Sequence, residues 1–267
     1  MTSVDFNALR DRTEASFVGD VAHELIRLEV VERSLALASK LFVAVIPLSI
    51  IISAVVPGAD NFGDSLVNRL GLTGAGADAT RNLFATQGEI RGAVSVLGFV
   101  ILLYSVFSFT KGLQRVYLDI WRLPAQQFEA VVRRATWVFT FVVFTSLLRP
   151  LQDAAERNDL PVAGHTIAFV FGAVLWVWTP YVLLGRRLPW RRLLPTGLVT
   201  AGCVAVYSLG SALYLPGTFT TNAERYGLIG VAFGLVTWLF GYAAVVIGAA
   251  AVAGVWDRRG HPVPRVP

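Results

Sequence analysis

Residues 228–255 read LIGVAFGLVTWLFGYAAVVIGAAAVAGV and contain no charged side chain. About twenty apolar residues are enough for a helix to cross the hydrocarbon core of a bilayer. This segment is longer than that, and Asp257-Arg258-Arg259 follows it almost at once. A charged end of this kind is typical of a membrane helix that stops at the lipid head groups. The segment therefore predicts a transmembrane helix.

Five earlier segments have the same character, and the composition agrees with them. The chain has 267 residues, of which 55% are hydrophobic and only 15% are charged. A soluble domain carries about 25% charged residues. We therefore predict an all-α fold, a polytopic membrane helix bundle with six transmembrane helices. The predicted spans are 34–56, 93–114, 135–148, 162–184, 193–215 and 228–255.

The remaining segments flank this six-helix transmembrane domain, which we place at residues 34–256. Residues 1–33 are rich in acidic side chains and lack the apolar stretch of a signal peptide. Val18, Val21, Leu25 and Leu28 recur at helical spacing there, with Glu24 off that stripe, which predicts a cytoplasmic amphipathic helix. Such a helix packs on its own bundle or docks a partner. Residues 257–267 are predicted to form a disordered cytoplasmic tail.

The distribution of basic residues predicts the orientation of the chain. Most of its 23 Lys and Arg residues fall in the segments that share the side of the N-terminus. Cytoplasmic loops carry such an excess, so both termini are predicted to be cytoplasmic, in a bacterial plasma (inner) membrane. The basic residues on the other side are Arg69, Arg81, Arg91, Arg149, Arg157 and Arg225.

A polar stripe runs along the second predicted span. Tyr104, Ser108, Lys111, Arg115 and Asp119 are separated by three or four residues, so they share one helix face. Polar residues on an apolar helix tend to face the bundle interior, which makes this stripe a candidate polar path. The alternative is that Lys111 and Arg115 snorkel to the cytoplasmic head groups. Arg115 and Asp119 are also spaced to form an ion pair.

Two further features of the spans are candidates for a functional role. Prolines lie within the first and fourth spans, where each removes a backbone hydrogen bond and predicts a helix break. Because the two prolines lie in the first span of each half of the six-span domain, it is left open whether spans one to three and four to six are inverted repeats. A polar outer turn precedes the last span, and its glycine permits a tight entry into the helix. The prolines are Pro47 and Pro180, and the turn consists of Asn222, Glu224, Arg225, Tyr226 and Gly227.

The sequence contains no recognisable catalytic or metal-binding motif. His23, His165 and His261 lie in different regions without metal-ligand spacing. Cys203 is the only cysteine, and its position in an apolar run predicts a small buried side chain. The net charge of +5 comes from arginines at helix ends rather than from a basic face interleaved with aromatics. We therefore expect no cofactor, no metal and no nucleic-acid partner.

Several segments also follow a known pattern. Arg187-Leu-Pro-Trp-Arg-Arg-Leu-Leu-Pro-Thr-Gly197 is followed by Tyr214, by Tyr226-Gly227-Leu-Ile-Gly230 and by Trp238. This pattern resembles the YihY/BrkB family of bacterial inner-membrane proteins, which is a virulence factor family. The resemblance covers about residues 30–256 and includes the alanine-rich first span. The chain departs from the family where Ser39-Lys40-Leu41-Phe42 replaces an aromatic-rich run.

The resemblance implies a six-span plasma-membrane protein with envelope associations and suggestions of transport. The family's old label, ribonuclease BN, finds no support, because a nuclease needs metal-binding carboxylates or a histidine pair. We expect no enzyme activity, and predict transport or translocation of a small solute or lipid. The alternative is a non-transporting scaffold or assembly factor for cell-envelope machinery. The expected partners are the bilayer and anionic lipids at the cytoplasmic face, and a homo-oligomer is left open.

Overall fold

The structure is a computed structural model that describes residues 16–55, 64, 67, 73–84, 93–125, 129–157 and 161–260. It is 91% helical and contains no strand in those ranges, so the predicted all-α class is confirmed. Some predicted regions lie partly outside the described residues. They are the N-terminal segment, the stretch between the first two predicted spans and the C-terminal tail. The helices are α1 (Phe17–Arg27), α2 (Val30–Val55), α3 (Gly74–Phe84), α4 (Ala93–Ile120), α5 (Ala130–Arg157), α6 (Pro161–Leu183) and α7 (Trp190–Gly260).

Three described helices are long and apolar enough to cross a membrane. The qualifying segments are Ala130–Leu148 in α5, Thr166–Leu183 in α6 and Trp190–Gly260, which is all of α7. Apolar side chains that face outward cost nothing in lipid, which explains why α5 exposes Phe139 and Leu147 on its surface. The lengths and the composition of these helices are those of a membrane protein.

Helix α7 is two helices joined by a kink at Gly227. Gly227 has φ 59° and ψ −140°, a conformation that is essentially restricted to glycine. The kink lies at the glycine of the predicted turn before the last span. The residues just before it remain helical, so the helix continues past residue 215, where the fifth predicted span ends. Beyond the kink, a Cβ at Gly230 would lie 2.1 Å from the carbonyl oxygen of Asn222, so only glycine fits there.

Several predicted helix ends move in the structure. Helix α5 continues through Pro150 to Arg157, although the sequence predicted an end at residue 148. Pro180 lies inside α6, and the backbone at Pro47 is likewise helical within α2. Neither proline therefore terminates its helix. The prediction of disorder over residues 257–267 is wrong for 257–260, which complete α7 because their charged side chains are held in ion pairs.

The chain forms two compact units. The first comprises 1–33, 114–203 and 244–267, and the second comprises 34–113 and 204–243. In the first unit, α5 and α6 pack side by side. Trp137 Nε1 donates a hydrogen bond to Thr179 Oγ1 (3.0 Å), and Trp178 Nε1 donates to Thr140 Oγ1 (3.0 Å). These bonds satisfy both indole donors, which have no water to bind inside a membrane.

The second unit has its own apolar core around the two halves of α7. Phe219, Val231 and Leu235 are buried at its centre, and Ala77 of α3 packs against the same cluster. Helix α3 approaches α7 closely, since a Cβ at Gly76 would lie 3.1 Å from the Cα of Thr220. Small residues allow this kind of close helix contact. The core thus joins the two halves of α7 into a hairpin.

Candidate functional site

The predicted polar path on α4 lies mostly on the outer surface of the chain. Tyr104 is 75% exposed, and Lys111 and Arg115 are also exposed. Ser108 and Asp119 are half-buried. The opposite face of α4 makes the buried contacts instead. In the described part of the chain, the stripe is therefore more exposed than the opposite face of α4, which includes the buried residues Ser105, Thr110 and Leu113.

The buried face of α4 carries a polar link that the sequence analysis did not single out. Gln114 Nε2 donates a hydrogen bond to the carbonyl oxygen of Leu183 (2.8 Å). Arg134 Nε donates to Gln114 Oε1 (2.8 Å). The side chain of Gln114 therefore joins the ends of α4, α5 and α6. Asp119 binds Arg33 through an ion pair rather than pairing with Arg115.

The other predicted site, the outer turn, contributes one residue to a groove. Tyr226, Glu224 and Arg225 are exposed at the kink, and Gly227 provides the break. Asn222 is half-buried, and it lines a cavity of about 610 Å³ between the two halves of α7. We call this cavity the hairpin groove. The polar side chains that line the hairpin groove are those of Tyr207, Ser211, Tyr214, Thr218, Asn222, Thr237 and Trp238.

Two hydrogen bonds fix the floor of the hairpin groove. Tyr207 Oη donates to the carbonyl oxygen of Trp238 (2.7 Å), and Trp238 Nε1 donates to Ser211 Oγ (3.2 Å). A Cβ at Gly241 would lie 2.5 Å from Tyr207 Oη, so the glycine makes room for the phenol. The side-chain amide of Asn222 has no hydrogen-bond partner among the described residues.

The chemistry of the hairpin groove is neutral and amphipathic. Its described lining contains hydroxyl, amide, indole and apolar groups and no charged side chain. Tyr214 and Phe233 are 61% and 69% exposed at its edge, so the groove opens sideways on the surface of the hairpin. Ligand sites commonly combine apolar walls with a few such polar groups that orient the ligand.

A cluster of charged residues holds α1 in place, and we call it the Glu24 cluster. Glu24 is only 3% exposed, although the sequence placed it off the apolar stripe of α1. Its Oε1 atom lies 2.6 Å from Arg27 Nη2 and 3.1 Å from Arg258 Nη2, and its Oε2 atom lies 3.9 Å from Arg122 Nη2. Arg258 Nη1 also donates to the carbonyl oxygen of Ile120. These contacts tie α1 to the ends of α4 and α7.

The arginines keep the Glu24 carboxylate ionised. Burial by itself raises the pKa of Glu24, but the hydrogen bonds from Arg27 and the charges of Arg258, Arg27 and Arg122 outweigh it. The pKa of Glu24 therefore lies below its usual value. Hydrogen bonding to Glu24 is in turn the main cause of the raised pKa of Arg27. The arrangement favours packing of α1 on its own bundle, one of the two alternatives for this helix.

Sequence reasoning missed the Glu24 cluster because its members are far apart in the chain. The available signal was the set of arginines at the ends of predicted helices, which require acidic partners when they are buried. Cys203 also differs from expectation, since it is exposed on the surface. Among the described residues, no group of three or more His, Cys, Asp and Glu side chains is placed to hold a metal ion.

The long apolar helices and the buried polar links between them define a helical membrane protein. A family model described as Virulence factor BrkB matches residues 21–265. The chain belongs to the BrkB virulence factor family, which confirms the resemblance found in the sequence. No curated protein and no solved structure matches it significantly.

Proposed function

We propose that this BrkB-family chain translocates a small solute or a lipid across the bacterial plasma membrane, and that the hairpin groove is its binding site. The observation that carries the proposal is the groove itself. It places hydroxyl groups and the amide of Asn222 within a helix pair that is apolar enough to lie in the bilayer. Polar groups inside a membrane are costly, so they tend to mark a pathway for a substrate.

Six membrane crossings are part of the proposal. A crossing needs about twenty helical residues, and α2 and α4 have 26 and 28 residues. Helices α5 and α6 have 28 and 23 residues. The kink at Gly227 divides the 71 residues of α7 into two more helices of sufficient length. With the excess of basic residues on the side of the N-terminus, this supports a multi-pass protein with both termini in the cytoplasm.

The sideways opening of the groove favours a substrate that enters from the bilayer. Apolar surface at the groove edge, such as Phe233, is compatible with acyl chains. The hydroxyl groups of Ser211 and Thr237 are compatible with a polar head group or with a neutral solute. A bare ion is disfavoured, because the described lining has no charged side chain to balance the charge of an ion in apolar surroundings.

The test fills the hairpin groove without disturbing the fold. Gly210 lines the groove, and a Cβ built on it has no heavy atom within 4 Å, so Gly210→Leu adds apolar volume at the groove from an unobstructed Cβ position. The purified chain would be reconstituted in liposomes. Movement of a fluorescent phospholipid between leaflets and flux of a panel of small neutral solutes would be measured. We expect Gly210→Leu to lower the translocation rate at least tenfold, as an order-of-magnitude expectation.

A matched control separates the groove from a general effect on the helix. Gly217 is exposed outside the groove lining, and its Cβ position is likewise open. Gly217→Leu adds the same side chain to the same helix and should leave translocation unchanged. Absence of lipid and solute movement in the unmodified chain would contradict the proposal, and so would equal losses in both variants.

The exposed stripe on α4 supports the alternative function, a scaffold or assembly factor. Tyr104, Lys111 and Arg115 present polar groups outward, where another chain or a second copy could bind them. Under this alternative, Lys111→Ala and Arg115→Ala disrupt assembly of a membrane complex while lipid and solute movement persists. Under the translocation proposal, blocking the groove is the change that abolishes function.

A further inference from the structure

A second cavity lies between the start of α5 and the end of α6. The proposed topology places these two helix ends at the cytoplasmic face. It has a volume of about 430 Å³, many times the ~30 Å³ that one water molecule occupies in the liquid. We call it the α5–α6 pocket. Its lining consists of Glu129, Val132, Arg133, Thr136, Val182, Gly185 and Arg186.

Arg133 is the buried cation of this pocket. Its side chain is 14% exposed, and its Nη1 atom lies 2.7 Å from Glu129 Oε2. Its Nε atom is buried and has no hydrogen-bond partner among the described residues. The guanidinium carries its positive charge at a largely desolvated position, where an anion in the pocket would be stabilised. Glu129 is 78% exposed and contributes little as a fixed partner.

The backbone beside Arg133 is shaped to receive it. Gly185 has φ +71°, and a Cβ on it would lie 2.8 Å from Arg133 Nη1. The positive φ favours glycine here, and the lack of a Cβ lets the end of the Arg133 side chain lie close to the backbone. Arg186 follows with a positive φ of 60°, and its side chain is exposed over the ring of Tyr181. Arg133 and Arg186 thus face one pocket, and together with Glu129 they leave a net positive charge.

An apolar track leads away from the pocket along α5. Val132, Thr136, Phe139, Val143 and Leu147 are separated by three or four residues and therefore share a helix face. Val132 is 67% exposed, Phe139 69% and Leu147 53%. Thr136 Oγ1 donates to the carbonyl oxygen of Val132, so its hydroxyl is satisfied along this face. A cationic pocket at one end of an exposed apolar track matches the two parts of an anionic phospholipid.

We propose that the α5–α6 pocket binds the phosphodiester head group of an anionic phospholipid whose acyl chains lie along the α5 track. The guanidinium of Arg133 provides positive charge at the wall of the pocket, and Arg186 covers the same phosphate from the exposed side. Arginine suits this role because its planar donors match the oxygens of a phosphate. The proposal rests on the membrane orientation in the proposed function and gives the expected lipid partner a defined site.

The test measures lipid binding directly. The full-length chain in neutral detergent would be titrated with fluorescent phosphatidylglycerol and with phosphatidylcholine of the same acyl chains, and binding would be followed by fluorescence anisotropy. We expect phosphatidylglycerol to bind about tenfold more tightly, since a charge-assisted hydrogen bond has roughly that effect. Arg133→Gln and Arg186→Gln should each remove this preference. Arg191→Gln, which is at the start of α7 and outside the pocket lining, should retain it.

Three results would overturn the proposal. Equal affinity for the two lipids would exclude a head-group site. An equal loss in Arg191→Gln would indicate diffuse charge rather than a pocket. Competition by soluble glycerophosphoglycerol as effective as that by the whole lipid would assign the pocket to a free phosphate ester. Because Arg186 is exposed, its variant keeps the test valid if Arg133→Gln fails to fold.

The Gly210→Leu variant separates failure of this site from failure of the proposed function. It should lose translocation and keep the preference for phosphatidylglycerol.

Discussion

Replacing Glu24 by Gln should release α1 from the rest of its unit. The substitution keeps the size of the side chain and removes the charge that Arg27 and Arg258 bind at 2.6 and 3.1 Å. Removing one partner of a buried ion pair costs about 3–5 kcal/mol. Arg27 and Arg258 have side chains that are 35% and 19% exposed, so water compensates part of the loss. We expect α1 to lose about 2 kcal/mol of local stability after this discount.

Hydrogen exchange of the α1 backbone amides measures this loss. A decrease of about 2 kcal/mol in the opening free energy makes exchange about thirtyfold faster. Glu32→Gln is the matched control, since Glu32 is exposed and has no ion pair within the described part of the chain. Unchanged exchange in Glu24→Gln, or equal acceleration in Glu32→Gln, would refute the assignment of Glu24 as the anchor of α1.

The same cluster predicts a pH dependence. The pKa of Glu24 is lowered in the folded chain from its ordinary value of 4.5, because the arginine contacts outweigh the effect of burial. A lowered folded-state pKa means that the carboxylate stabilises α1 above the unfolded-state pKa and loses that effect as the pH falls through the folded-state pKa. Exchange of α1, corrected for the intrinsic rate, should therefore accelerate below about pH 4.5 in the unmodified chain. Glu24→Gln should not show this acceleration.

Three further substitutions test the packing of the spans by thermal unfolding in detergent. Gly227→Ala has open space around its Cβ but a strained backbone, so it should cost about 1–3 kcal/mol. Gly230→Ala should be more destabilising and should distort the hairpin groove, because its Cβ would lie 2.1 Å from the Asn222 oxygen. Thr179→Val leaves the indole donor of Trp137 without its acceptor and should cost about 1–3 kcal/mol. Equal unfolding temperatures for Gly227→Ala and Gly230→Ala would contradict the close helix approach.

The apolar runs of the sequence were sufficient to predict the helical class and most helix positions. Residues 228–255 lie within α7, and the glycine that precedes them is the kink. Helix ends were less predictable. Residues 257–260 have charged side chains that look like a solvated tail, yet Asp257 binds Arg192 at 2.6 Å and Arg259 binds Asp20 at 2.6 Å. These partners are distant in sequence, so local composition carries no information about them.

The candidate site was harder to predict than the fold. Helical spacing shows that Tyr104 and Lys111 share a face, but it does not show which way that face points. Burial of Glu24 depends on arginines contributed by other segments, and the hairpin groove depends on how the two halves of α7 meet. The sequence singled out Asn222 as part of the outer turn, whereas the structure places it in the lining of the hairpin groove.

Thiol labelling in intact membranes tests the central proposal most directly. With Cys203 replaced by Ala, single cysteines at Ser211 or Thr237 would be probed with a small water-soluble reagent and compared with a cysteine at Tyr104. The groove account predicts labelling at Ser211 and Thr237, since both side chains line the hairpin groove, and protection by an added substrate. Labelling at position 104 without labelling at position 211 or 237 would contradict the proposal that the hairpin groove is the binding site. That result would favour the polar stripe on α4 as the path instead.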